Sequence, residues 1–593
     1  MAMLILAAFP VAWFKPQIER WIQRRYEAPA TIVRINRLDR FSLHPVIEIQ
    51  GLAIGQPAWA GTGQFVTLRS ARMRLALLPL LQGRFHTQML ILDGLSLDMI
   101  RRADGRKNWT RGGTGASAGA FSLEGVTVAN SRVRYRDAKQ ARSFDAILTA
   151  DPTHGVRLLG TGKIRGSAVH LAADGGGTKS DGRPWPFHIR IEGKDLDFNA
   201  SGTMARPLDM AQMTADMTAR GSDLKMLDAL IEAGLFGTQP IDLKAHVRHD
   251  APNWMVTGLA GTIGGSHIAG AVTVRRQDGR TRLDGEVNGG PFSFDDLASD
   301  AGIAQARAIE RQIGKRILPG TRIALDKLGH TDGTIRFRLR GLTGSANPPF
   351  TSATGTLTLD HSLITLKPIR FGLSRGTVEG TVTVDQRSRT IPLMTVDLTL
   401  GGATLDALAG RTPVHSGLRG RIRLVGSGRT IRDAVGRSNG TIAIAAQEGM
   451  LPARLASLLG FDVGRGITTD ADKQSRLNCA VFRLGVRSGV GTADPLVVDT
   501  SRGQTRGEGT VSLATEKIAI RLSGAPKQDS LLRFPGNATL GGTLSDPHLD
   551  VPQKGKSAGA LLKMLGRAIT GRQGPLAPEV NCPALIARAL ASR

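Results

Sequence analysis

Short runs of alternating apolar and polar residues, each halted by glycine or proline, dominate this chain of 593 residues. Ile47, Ile49, Leu52 and Ile54 make one run, Val66 and Leu68 a second, and Met73, Leu75 and Leu77 a third. Gly51, Gly55, Pro57, Gly61, Gly63, Pro79 and Gly83 punctuate them. A period of two is what a strand with one buried face requires, and glycine or proline at this spacing marks hairpin turns. Such a chain is committed to sheet.

The pattern recurs. GTIGGSHIAGAVTV (Gly261 to Val274), RFGLSRGTVEGTVTV (Arg370 to Val384) and TSRGQTRGEGTVSL (Thr500 to Leu513) each run through a Gly/Ser turn, a short strand, glycine again and an alternating strand. ASGTMARPLDM (Ala200 to Met210) and LGGTLSDPHLDV (Leu540 to Val551) form a second recurring phrase. These read as hairpins repeated at irregular intervals. Helical spacing is confined to Lys15 to Tyr26, Ser222 to Ala233, part of Phe294 to Ile317, Pro452 to Leu459 and Ala558 to Ile569. So few helices cannot cover the apolar face of so much sheet. A second sheet, a closed barrel or a lipid-filled groove remain as covers. At about 4.8 Å per strand, some 35 to 40 strands in series would reach on the order of 170 to 190 Å.

Glycine is abundant at 73 residues while aromatics are 4%, a turn-rich β composition well short of disorder. The net charge of +27 raises nucleic acid as a partner. The charge is diffuse arginine within strands, as in TIRFRLRG (Thr334 to Gly341), and stacking aromatics are scarce, which argues against it. An anionic membrane surface or lipid headgroup suits diffuse arginine better.

No catalytic constellation emerges. GLSRG (Gly372 to Gly376) and GASAG (Gly115 to Gly119) match a nucleophile elbow, but Ser374 precedes a strand and Ser117 sits in a Gly/Ser/Ala stretch. GTGKIRG (Gly160 to Gly166) has Ile164 where a phosphate loop needs Ser or Thr. His246 and His249 fall on opposite faces of a strand, which spoils a metal site with Asp250. Asp195 and Asp197 share a face but have no partner acid, and Asp295 and Asp296 read as helix caps. No catalytic residue, cofactor site or metal site is assigned. Val272 with Val274, and Val382 with Val384, share strand faces and are candidates for an apolar lining.

Three elements, QPAW (Gln56 to Trp59), LLPLLQGRF (Leu77 to Phe85) and DGRKNW (Asp104 to Trp109), resemble the N-terminal region of the AsmA family of bacterial envelope proteins. The succession GSDLKMLDAL, Asn253–Trp254, GSHIAG and FSFDDLA resembles its central region, and VFRLGVRSGVG to GTLSDPHL its C-terminal region. The resemblance implies a mainly β fold: an elongated, strongly curved antiparallel sheet or groove, with an N-terminal membrane-anchor helix and a few short helices. It implies a non-enzymatic inner-membrane protein facing the periplasm, active in outer-membrane biogenesis, with phospholipid as partner. The competing reading is a structural or chaperone-like factor for outer-membrane assembly proteins.

The expected segments are an anchor and membrane-proximal helix (1–26), an N-terminal β region (27–110), a glycine-rich linker (111–120), a central repeat (121–400), a C-terminal β region (401–551) and a helical tail (552–593). Met1 to Phe14 is charge-free and apolar but shorter than the roughly 20 residues of a full span, which suggests a signal anchor beginning upstream. Lys15, Arg20, Arg24 and Arg25 would then lie outside, against the positive-inside tendency. In an oxidising periplasm Cys479 and Cys582, the two cysteines of the chain, would by default form a disulfide; two unrelated buried thiols are the other reading.

Overall fold

The computed structural model describes residues 11–39, 42, 44–75, 87–109, 125–178, 182–207, 209–323, 325, 331–343, 349–409, 412–470, 472–529, 537–550 and 575–591. The protein is mainly β, with a few short helices. Neighbouring strands are antiparallel almost throughout. Parallel pairs join Arg280–Gly289 to Thr331–Arg340, and join both Thr87–Asp93 and Ser96–Arg101 to Val126–Asp137. The chain divides into two compact units, one comprising Met1–Ala271 with Asp296–Asp300, the other Val272–Asp295 with Ala301–Arg593.

The helix Lys15–Tyr26 is preceded by a short 3-10 turn, Val11–Phe14, and buries Ile22 against Ala28, Ala30, Ile54 and Phe65. Among the described residues no helix is long and apolar enough to cross a membrane. Most of the apolar segment read as an anchor, together with the glycine-rich linker and Ala558 to Ile569, lies outside the described residues. Helices do form at Leu224–Ile231, Asp300–Ile313 and Ala453–Leu459, where the spacing pointed. Others at Leu405–Ala409, Ile431–Val435 and Val463–Thr468 are too short to show a period in sequence.

The repeated glycine has a conformational cause. In Gly261-Thr-Ile, Gly333-Thr-Ile, Gly380-Thr-Val, Gly440-Thr-Ile and Gly509-Thr-Val, the glycine has φ between 142° and 158°. A side chain there is strained, and the space is closed as well. A Cβ on Gly380 would strike the carbonyl oxygen of Asp397 on the next strand, and one on Gly440 would strike that of Arg423. Glycine lets two backbones approach where any other residue would push them apart.

In the second unit, Cys479 and Cys582 are joined in a disulfide with Cα atoms 5.8 Å apart. It fastens the helix Cys582–Leu590 to the sheet. Asn581 caps the helix by accepting from the Ala584 backbone N–H, and Ile586 and Ala589 pack on Ala445 and Val481.

Two stability outcomes follow from these features. Gly380→Ala should destabilise the fold by more than the ~1–3 kcal/mol typical of a strained backbone position, because a neighbouring strand must also move, and so lower the unfolding temperature. Gly401→Ala, where an added Cβ meets nothing within 4 Å, is the control and should change little. Replacing both cysteines by alanine frees a loop of 103 residues. In the chain-entropy model that constraint is worth roughly 4 to 5 kcal/mol at most. The urea midpoint of the double variant should fall clearly, and an unchanged midpoint would show that the helix docks without the bond.

Candidate apolar ligand face

Each unit carries apolar rows that run across consecutive strands. In the first unit, Leu148, Leu158, Ala173, Ile189, Ala200 and Met217 stand opposite one another on six successive strands. A flanking row, Leu171, Ile191, Phe198, Ala219 and Leu243, is nearer the end of the sheet. That end is closed by the helix Leu224–Ile231, which buries Met226, Leu227 and Ala229 in the same cluster. Trp185, Met204 and Met213 close the other end, where the Trp185 indole donates to the carbonyls of Gly176 and Gly177. The middle row is left half-buried, except for Ala200.

The helix is held by a charged cluster. Arg101 donates to both Glu232 oxygens at 2.6 and 2.9 Å and to Asp137 at 3.2 Å. Arg142 donates to Asp137 and Glu232, and also to the carbonyls of Ala229 and Leu230 at the helix C-terminus. A cation there satisfies orphan carbonyls and opposes the negative end of the helix dipole.

The second unit repeats the scheme with different parts. Leu366, Val382, Val396 and Leu424 form one cross-strand row. Leu398, Ile422, Ile442, Leu484 and Ala493 form the next. A third contains Ile444, Phe482, Leu496 and Leu522. One end is covered by residues 317–323, Leu325 and the helix Ile431–Val435, which pack Leu318, Ile323, Leu325 and Val435 on Val384, Met394 and Val486. The Glu516 carboxylate, fully buried, accepts from the backbone N–H groups of Ile317 and Leu318 at 2.8 Å, and Arg432 donates to the Leu318 carbonyl. Helices Leu405–Ala409 and Ala453–Leu459 cover the other end over Leu400, Leu418 and Leu477. Between these covers Val382, Val396, Ile422, Ile442 and Phe482 are half-buried, and Ile444 is 38% exposed.

Val382 and Val384 thus lie on one face, with Val384 buried beneath the end cover at 6% exposure and Val382 in the half-open middle. Val272 and Val274 are half-buried on Ser266–Gln277. The helices Leu224–Ile231 and Ala453–Leu459 were expected from their spacing, but not that they close sheet ends, and the clamp on Ile317 and Leu318 was missed in sequence. A single buried glutamate after a threonine (Thr515–Glu516) carries no pattern that would betray a clamp 199 residues away.

The other motifs resolve into ordinary structure. Ser374 occupies a hairpin turn, and the GTGKIRG stretch ends a strand and turns at Arg165–Gly166. Ser117 lies outside the described residues. His246 meets Asp216 at 2.9 Å, whereas His249 stacks on Trp254 with ring centres 3.8 Å apart. Asp195 accepts from the Ser167 hydroxyl, and Asp197 faces Arg220 across the strands. Asp296 accepts from Ser266 and from the Gly265 N–H, which ties it to a neighbouring hairpin. Asp332, Asp360 and His361 bring ligand atoms within 4.8 Å of one another. Arg280 already pairs with Asp332, and its hydrogen bond holds that carboxyl well below the usual range, so the cluster has its own cation.

Both units are thus hairpin sheet whose apolar face is capped at its ends and half-open between them. The AsmA family model matches residues 1–149 and 202–496, well over half of the chain. The chain therefore belongs to the AsmA family, which associates it with cell-envelope biogenesis. It is similar to the AsmA family protein YhjG of Escherichia coli (strain K12), at 23% identity over 442 residues. The alignment covers 69% of this chain and 61% of that protein, so the chain spans less than two thirds of the relative's length. No solved structure matches.

The charged cluster in the first unit gives a pH outcome. Burial alone would raise the Asp137 carboxyl, but the Tyr135 and Gln140 hydrogen bonds and the charges of Arg142 and Arg101 outweigh it and hold it below 3.8. Hydrogen bonds from Arg101 hold Glu232 below 4.5. Both carboxyls bind protons less readily folded than unfolded, so their stabilisation is complete above the unfolded values and is lost as pH falls through the folded ones. Thermal unfolding should therefore show the first unit weakening below about pH 4. Glu232→Gln should lower Tm at pH 7 and narrow the gap between pH 7 and pH 3; an unchanged gap would remove the cluster as the cause.

Proposed function

We propose that this protein is anchored in the inner membrane, lies in the periplasm, and carries or shields phospholipid acyl chains along its apolar sheet faces. It acts as a carrier and not as a catalyst. The half-buried rows between closed ends are the observation that carries the reading. Side chains such as Val382, Ile422 and Phe482 gain only part of the ~1.5–3 kcal/mol that full burial offers. Contiguous apolar surface of this kind ordinarily marks a ligand or partner site. An acyl chain completes the burial without needing a hydrogen bond in return. The net charge of +27 favours an anionic membrane surface around it.

Photocrosslinking in living cells tests this. A photoreactive residue at Val382 or Val272 should give phospholipid adducts, while one at Val481, beneath the disulfide-bound helix, should not. Adducts only to the protein's own strands would show an ordinary core, and adducts to β-barrel proteins would favour the assembly-factor reading. Val382→Asp should abolish the lipid adducts at Val272; if placed in a dry core it would cost several kcal/mol and unfold the unit instead. A reporter active only outside the cytoplasm, fused after Arg593, should be active.

A further inference from the structure

The helix Lys15–Tyr26 is fixed in rotation by the side chains that meet the sheet. Glu19 accepts from the Ile32 backbone N–H at 2.8 Å, Lys15 donates to the Val33 carbonyl at 3.3 Å, and Gln23 to the Ala30 carbonyl at 3.4 Å. Ile18 and Ile22 pack into the small apolar clusters beneath it. With 3.6 residues per turn, Gln17, Arg20, Trp21 and Arg24 then point the opposite way, and all four are exposed.

That outward face combines bare aromatic surface with uncompensated charge. Trp21 is 60% exposed, and Trp13 and Phe14, in the turn that leads into the helix, are 71% and 44% exposed. Trp185, by contrast, is buried with its indole N–H bonded. Arg20 and Arg24 donate to carbonyls of their own helix, those of Pro16 and Arg20. Among the described residues neither they nor Arg25 meets a carboxylate. Elsewhere in this unit Arg132, Arg136 and Arg220, also exposed, each pair with an aspartate. The stretch just before, Met1 to Phe14, is charge-free. Indole rings settle at the headgroup level of a bilayer, and cations beside them are drawn to an anionic leaflet. Exposed tryptophan flanked by free arginine therefore complements both layers of such a surface.

We propose that the outward face of the helix Lys15–Tyr26 docks side-on onto an anionic lipid surface, with Trp21 at headgroup depth and Arg20 and Arg24 on lipid phosphates. The inference deepens the membrane reading above and rests on it only in taking a bilayer to be at hand. An apolar anchor by itself asks nothing of residues 20 to 24, so anchor and docking can fail separately. Docking also gives a use to cations whose place outside the cytoplasm runs against the positive-inside tendency.

Full-length protein is reconstituted into phosphatidylcholine vesicles with and without phosphatidylglycerol, using lipids brominated near the headgroup or near the chain end as quenchers. The fluorescence that Trp21→Phe removes is the signal of Trp21. Shallow bromines should quench it and deep ones should not, and more strongly when phosphatidylglycerol is present. Arg20→Gln with Arg24→Gln should lower the docked-to-free ratio by roughly 25-fold, about fivefold per cation. Both side chains are exposed, so the fold should be kept. An alkaline wash reads the anchor separately. Protein that resists the wash while Trp21 stays unquenched would overturn docking and leave the anchor standing. Protein that washes off yet shows quenching dependent on phosphatidylglycerol would support docking and remove the anchor. Shielding of Trp21 from iodide in pure phosphatidylcholine that rises with protein density would assign the face to a second copy and overturn the proposal.

Discussion

A hairpin sheet has two faces, and everything in this molecule depends on how its apolar face is covered. The strands alternate, so each contributes one apolar row and cannot hide it alone. Helices here are short, five to fourteen residues among those in the two sheet units. Leu224–Ile231, Leu405–Ala409, Ile431–Val435 and Ala453–Leu459 are placed at sheet ends, where a single turn protects several rows at once. That economy leaves the centre of each face half-covered, and the function proposed for the protein lives in that remainder.

The two units reach this arrangement by different chemistry. The first pins its end helix with a buried cluster in which Arg101 and Arg142 are shared between Asp137 and Glu232. The second lays an irregular segment over the sheet end and holds its backbone to the Glu516 carboxylate and the Arg432 guanidinium. In both cases a charged side chain satisfies backbone groups that would otherwise be buried without partners. Such covers fix one geometry only while every member is in place. Breaking one partner leaves a desolvated charge, so the ends of the faces are the most cooperative parts of each unit.

Much of the strand architecture was legible in the sequence, because a period of two and glycine punctuation are local signals. Lys15–Tyr26, Leu224–Ile231 and Ala453–Leu459 showed helical spacing for the same reason. The recurrence of Gly-Thr-Val and Gly-Thr-Ile was visible as a repeat, but its cause was not. It lies in the carbonyl of the adjacent strand, as Asp397 shows for Gly380. The parallel pairing of Arg280–Gly289 with Thr331–Arg340 was also hidden, since alternation is the same in both senses and only the crossover decides. The valines of the apolar face were readable in pairs, whereas the split between Val384, buried, and Val382, half-open, depends on Leu318, Ile323 and Leu325, some sixty residues away in sequence.

Where alternation lapses, the sheet is covered on both sides. The strand Asn439–Pro452 reads Ile-Ala-Ile-Ala-Ala over residues 442 to 446, and its neighbour reads Cys-Ala-Val-Phe over 479 to 482. Ile442, Ile444 and Phe482 belong to the apolar rows on one face. On the other, Ala445, Cys479 and Val481 are 0 to 3% exposed under the helix Cys582–Leu590. Small residues are needed there because a helix must approach the backbone closely for its own side chains to fit. The disulfide then fixes which helix does so. A single strand pair thus borders a half-open apolar face on one side and a stapled helix on the other, and the alternation of large aliphatic with small residues along it keeps the two apart.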